Sequence, residues 1–206
     1  MPIYRSFCNA VDNESTMINA TYIWVRSIVV KFGLCPWAAR DLNHLRIYVC
    51  RADLQDPSDE RLHKPAHEEL LQHALDLVPD KEVGSTLVVV PQLTDFENFV
   101  RFSSTFTEIL ENTGMDFKIQ VATFHPDFKY ENTKPNSPEN WISRSPFPTI
   151  HLLKVTEVAK AVDDYDGDTE EIWERNIAAM KRIGSRNMDL AMKKLLGVAR
   201  NTDGDI

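Results

Sequence analysis

Lys118-Ile119-Gln120-Val121-Ala122-Thr123-Phe124 and Thr149-Ile150-His151-Leu152-Leu153-Lys154-Val155 are the two stretches whose reading decides the fold. Both are rich in β-branched and aromatic residues, and apolar side chains recur at alternate positions, which is the pattern of strands. Residues 125–148 connect them. That connection is longer than compact domains carry without a purpose, and its prolines stiffen it. It opens with His125-Pro126-Asp127 and closes with Asn140-Trp141-Ile142-Ser143-Arg144-Ser145-Pro146-Phe147-Pro148. We read it as a shaped, functional loop between two strands. An antiparallel pairing around it sets His125 and His151 near each other at its base.

Working outward, Ser85 to Val90 is the cleanest strand, an almost continuous apolar run suited to a central position covered on both faces. Arg46 to Cys50 is a shorter one. Thr16 is expected to cap a helix from Met17 to Phe32, which Gly33 ends in the left-handed conformation. Arg51 to His63 reads as a solvent loop. Pro65 opens a helix that lasts to Pro79, and Thr94-Asp95-Phe96-Glu97 has the pattern of a capping box for a helix ending at Gly114. After the second strand, helices are expected at Glu157 to Val162, Thr169 or Glu170 to Ile183 (with Ile172, Trp173, Ile177 and Met180 inward) and Asn187 to Ala199. The order predicts an α/β or α+β protein, a single-domain mixed sheet of about four strands packed by helices, with C-terminal helices. The domain is expected over residues 16–200, between a flexible segment at 1–15 and a flexible tail at 201–206. Strand order is not fixed by the pattern.

Composition narrows the function classes. With 23 basic against 31 acidic residues, the net charge of −8 opposes general nucleic-acid binding, which needs a concentrated positive surface. No run approaches the length of a membrane span. The first sixteen residues have neither an apolar signal core nor the acid-poor character of a transit peptide, so a cytoplasmic protein is expected. Cys8, Cys35 and Cys50 are odd in number and without framework spacing, which favours reduced thiols over disulfides. Oligomeric state stays open.

Three motifs taken together, Cys35-Pro36-Trp37-Ala38, Ala122-Thr123-Phe124-His125-Pro126-Asp127-Phe128 and Asn140 through Leu153, resemble the domain of unknown function 1415 family. The likeness extends over roughly Met17 to Gly184. Ser143 stands where the family usually has Asn, Phe147 where it has Tyr, and Lys154-Val155 where it has Arg-Glu. The resemblance implies no activity.

The residues themselves suggest chemistry. Cys35, ahead of a proline at the start of a short helix and with Arg40 one turn on, is placed to form a thiolate, as nucleophile or soft ligand. Against this stands a cysteine that simply packs as a small hydrophobe. His125, at a strand end, is a candidate general base for Cys35, with Asp127 as its orienter and His151 as a second polar wall. Alternatively, each histidine pins the loop by donating to a backbone carbonyl. Arg144 and Ser145 make a natural clamp for an anionic small molecule, with Asn140 beside them, unless Arg144 clamps the loop's own carbonyls or pairs with Asp127 and Asn140 forms an Asx turn. Cys35, His125 and His151 also form a set that zinc accepts. Trp24, Trp37, Trp141 and Trp173 are read as core, and the acidic turn Asp163 to Asp168 lacks the ordered pattern of a calcium loop. Three functions follow from these residues. The first is a Cys/His-dependent hydrolase or transferase acting on an anionic small molecule, the second a Cys/His metal module, and the third a non-catalytic interaction domain.

Overall fold

The computed structural model describes residues 13–202; the expected lead-in over residues 1–12, with Cys8, and the last residues, 203–206, lie outside that range. Four strands form one mixed sheet: β1 (Leu45–Val49), β2 (Ser85–Val89), β3 (Ile119–Phe124) and β4 (Thr149–Lys154). Their order is β1-β2-β4-β3. β1 and β2 run parallel, joined through helix α3 (Lys64–Leu77). β4 then enters antiparallel between β2 and β3. The expected hairpin around the long loop therefore forms, and β4 takes a central place that the sequence pattern did not fix. With seven α-helices among the described residues around this mixed sheet, the chain is of the α+β class.

Every residue of β2 is buried, as its unbroken apolar run implies for a strand with neighbours on both edges and helices on both faces. Side chains alternate between two cores. Val88, Ile150, Leu152 and Ile119 pack against α3 and α4 (Phe96–Asn112). Leu87, Val89 and Phe124 face the opposite way, toward α1 (Glu14–Trp24), α6 (Glu171–Ile183) and α7 (Ser185–Thr202). His151 lies in register with Leu87 on β2 and Ala122 on β3, on this second face.

Local details correct several expectations. Asn13, not Thr16, caps α1, accepting from the Thr16 N–H at 2.8 Å, so the helix begins three residues early. The helix also fails to continue as one regular element: at Val25–Val30 it widens into a π-helix. Gly33 then ends it with φ of 65°, as expected of a left-handed terminator. Asp95 caps α4, accepting from the Asn98 N–H at 3.0 Å. The segment at 51–63 is not purely solvent loop, because Leu54 is 0% exposed, its N–H held by the Gln92 side chain. Trp173, expected to point inward, is 44% exposed. α5 is longer than expected, Val155–Asp163, and follows β4 without a break.

Candidate functional site

Residues 125–148 spend their polar groups on one another. His125 is 0% exposed, and both ring nitrogens are used: Nε2–H donates to the Leu93 carbonyl at 3.1 Å, and Nδ1 accepts the Asp127 N–H at 3.0 Å. That pair of bonds fixes one neutral tautomer, flanked by the rings of Phe96 and Phe99 at 5.3 and 5.1 Å. Burial holds its pKa below the ordinary histidine value, against the opposing pull of the Leu93 carbonyl. Asp127 thus orients the ring through its backbone, whereas a carboxylate role had been expected.

Asn140 is equally committed. Its carbonyl accepts from the Tyr130 N–H and the Thr133 hydroxyl, and its amide donates to the Lys134 and Pro135 carbonyls. Arg144 donates to the carbonyls of Phe128 at 3.1 Å and Pro135 at 2.6 Å, with its guanidinium 5.0 Å above the Trp141 ring. Ser145 is fully buried and donates to the Phe147 carbonyl at 2.5 Å. The expected anion clamp is therefore occupied by the loop's own backbone. Buried polar groups must be paired, and here they pair within the segment they shape.

The cavity lies elsewhere, on the second face of the sheet. It is a partly open cleft of about 280 Å³. Its floor includes Leu87, Ala122, Phe124 and His151. One wall is Trp24 with Val25 and Val29 of the π-helical turn. A second is the strap that carries Cys35, Trp37 and Ala38, and α5 closes the third side with Glu157, Val158 and Ala161. Cys35 and His151 therefore line one cavity, whereas His125, Asp127, Asn140, Arg144 and Ser145 do not. Among the described residues, no three His, Cys, Asp or Glu side chains gather closely enough to hold a metal ion, so the zinc set of Cys35, His125 and His151 is not assembled. The physical reason is that the two histidines sit in different surroundings: His125 just beyond the end of β3 against α4, His151 mid-strand in β4 on the opposite side.

His151 keeps part of its ring surface on the cleft while its Nε2 is sealed from water without a hydrogen-bond partner. Burial alone pushes its pKa down to about 4, so the imidazole is neutral under ordinary conditions. Cys35 carries a reduced, half-buried thiol. The helix after it, α2 (Ala38–Asp41), is four residues long, and Trp37 occupies its cap position. The expected dipole activation of a Cys35 thiolate consequently has no helix of useful length behind it. Cys50 is the opposite case: buried and beside Glu69, its thiol is pushed up to about 12 by desolvation first and by that carboxylate second.

The family described as "Protein of unknown function (DUF1415)" matches residues 16–189. The chain belongs to the DUF1415 family. No curated protein and no solved structure matches it. In this DUF1415 chain the three motifs divide between two jobs. The Cys35-Pro36-Trp37-Ala38 strap and His151 border the cleft, while His125-Pro126-Asp127 and residues 140–148 build the scaffold behind it. Phe147 is buried in the second core, where an apolar ring packs without a hydroxyl. Sequence reasoning missed Trp24 and Trp37 as cleft walls because an aromatic at helical spacing reads as core. The adjacency of Trp37 to Cys35 was the available signal. Among the described residues no helix is long and apolar enough to cross a membrane.

Proposed function

We propose that the protein binds a small, largely apolar molecule in this cleft, with Cys35 and His151 as the reactive groups facing it. The observation that carries the reading is the placement of both side chains on one cavity, near the size range of ligand pockets and walled mainly by aliphatic and aromatic groups. A π-helical turn in the wall adds support, since such turns occur frequently at functional sites. The anionic ligand expected from Arg144 and Ser145 gives way to an uncharged one. Lys154 is among the lining residues, but it follows the alternation of Ile150 and Leu152 toward the opposite face and its ammonium donates to the Asp80 carbonyl, so the charge it carries is already engaged. A thiol and a neutral imidazole lining one such cleft suit covalent transfer or hydrolysis of an uncharged substrate.

The test is a titration of isotope-labelled protein with acetophenone, followed by backbone amide shifts. We expect shifts concentrated at Leu87, Ala122, His151 and Cys35. Filling the floor with Ala122→Phe, or narrowing the rim with Val158→Trp, abolishes them while the remaining spectrum stays native. Alkylation of Cys35 by iodoacetamide, read by peptide mass spectrometry, slows several-fold with acetophenone present. Shifts scattered over the surface, or unchanged in both blocked variants, overturn the reading.

A further inference from the structure

Three side chains lining the cleft hold a polar nitrogen that is sealed from bulk water and has no partner among the described residues: Trp24 Nε1, Trp37 Nε1 and His151 Nε2. The first belongs to a ring only 2% exposed. Buried polar groups are nearly always hydrogen-bonded, so an unsatisfied one calls for its own explanation. Three on the lining of one cavity point to a shared one. An indole N–H only donates, so both indoles lack an acceptor, while the neutral imidazole donates or accepts at Nε2 according to its tautomer.

From these orphaned donors we propose that the cleft recognises an uncharged hydrogen-bond acceptor on its ligand, a carbonyl of the ketone, ester or lactone type, received at the indole N–H of Trp24 or Trp37. The inference rests on the cleft being a ligand site and specifies the group it reads. Charge argues for a neutral carbonyl over a carboxylate. The cation in the lining, Lys154, is held by the Asp80 carbonyl, His151 is uncharged, and Glu157, exposed in the first turn of α5, brings the one carboxylate. A carboxylate entering here would lose its hydration without gaining a counter-charge. The rest of the ligand meets Leu87, Phe124 and Val158 and is matched by hydrocarbon.

The experiment compares four monosubstituted benzenes of similar size with the native protein: acetophenone, ethylbenzene, benzoate and benzylamine. Acetophenone is expected to bind about ten-fold more tightly than ethylbenzene, the order of effect for restoring a partner to a buried donor. Benzoate and benzylamine are expected to be weaker than acetophenone. Indole proton resonances, assigned with Trp24→Phe and Trp37→Phe, give a direct reading: acetophenone moves at least one of these two downfield and ethylbenzene does not. Equal affinity for acetophenone and ethylbenzene with unmoved indole resonances overturns the carbonyl assignment and leaves the apolar cleft standing. Tightest binding by benzoate or by benzylamine overturns it in favour of a charged ligand. Failure of all four probes, with alkylation of Cys35 indifferent to them, removes the ligand site itself.

Discussion

A buried histidine is a stability statement as well as a chemical one. In the native state His151 has a pKa of about 4, against an ordinary value of 6.5 in an unfolded chain. Between those values the unfolded state holds the proton and the native state does not, so stability is fully present above about pH 6.5 and is lost progressively as the pH falls toward 4. The size of the effect is about 3 kcal/mol at most. His125, His67 and His73 are also lowered, each chiefly by burial, and act in the same direction. Carboxylates lose their contribution lower down: Asp59, held at about 2 by Arg61, releases its share only below the ordinary aspartate value. Urea midpoints measured from pH 7 to 4 should therefore fall steadily, and His151→Phe should flatten much of that slope; a native protein indifferent to pH across this window would refute the assignment. Arg144 supplies a second residue-level expectation. Its fork holds two carbonyls from different parts of the loop, which a lysine ammonium does not reproduce. Arg144→Lys should cost about 2–4 kcal/mol in urea unfolding, with little effect on probe affinity in the cleft. The alternative of a loop-clamping arginine was visible in the sequence, but the choice between a carbonyl and a ligand anion was not, because every residue supplies a carbonyl and none announces where it will lie.

At the scale of elements, local chemistry was legible where one residue type enforces one conformation. Gly33 and Gly114 stop helices at φ of 65° and 68°, and the apolar run of β2 declares a strand covered on both faces. What stayed hidden depends on partners distant in sequence. Nothing in residues 45–50 or 149–154 says that β4 would enter between β2 and β3, since an apolar strand pattern does not name its neighbours. The π-turn at Val25–Val30 was hidden for a related reason: a 3.6-residue pattern and a wider one differ little over six residues. The strap from Gly33 to Ala38 inherits its direction from that turn. The Leu34 N–H returns to the Val29 carbonyl at 2.9 Å and the Gly33 N–H to the Val30 carbonyl at 3.0 Å. Gly33→Ala finds open space for its methyl group but must hold a left-handed backbone, a strain of about 1–2 kcal/mol. We expect the variant to lose about that much stability. We also expect changed shifts at Cys35 and Trp37, because the strap alone relieves the strain by moving; an unmoved strap would show that its course is set by the sheet and not by the glycine.

For the whole molecule, the sheet is a shared wall between two cores that are filled unequally. The core under α3 and α4 is closed by large aromatic side chains, with Phe99, Phe102 and Phe106 all essentially unexposed. The core on the other face stops short of the sheet between α1, the strap and α5, and the gap is the cleft. A protein under selection for packing alone has an inexpensive remedy at Ala122, whose small side chain sits mid-strand beside His151. Ala122→Leu adds apolar surface to a wall that already exists. At about 25 cal/mol per Å² it should gain on the order of 1 kcal/mol, provided the added volume stays within the cleft. The expected result is a raised urea midpoint together with weakened acetophenone binding, the trade that a cavity kept for a ligand imposes and a packing defect does not. A variant that gains stability and keeps full affinity would mean that the probe sits elsewhere. One that loses stability and leaves binding intact would mean that the strap and α5 are already drawn tight over the floor, and that the small residue at 122 is there for packing.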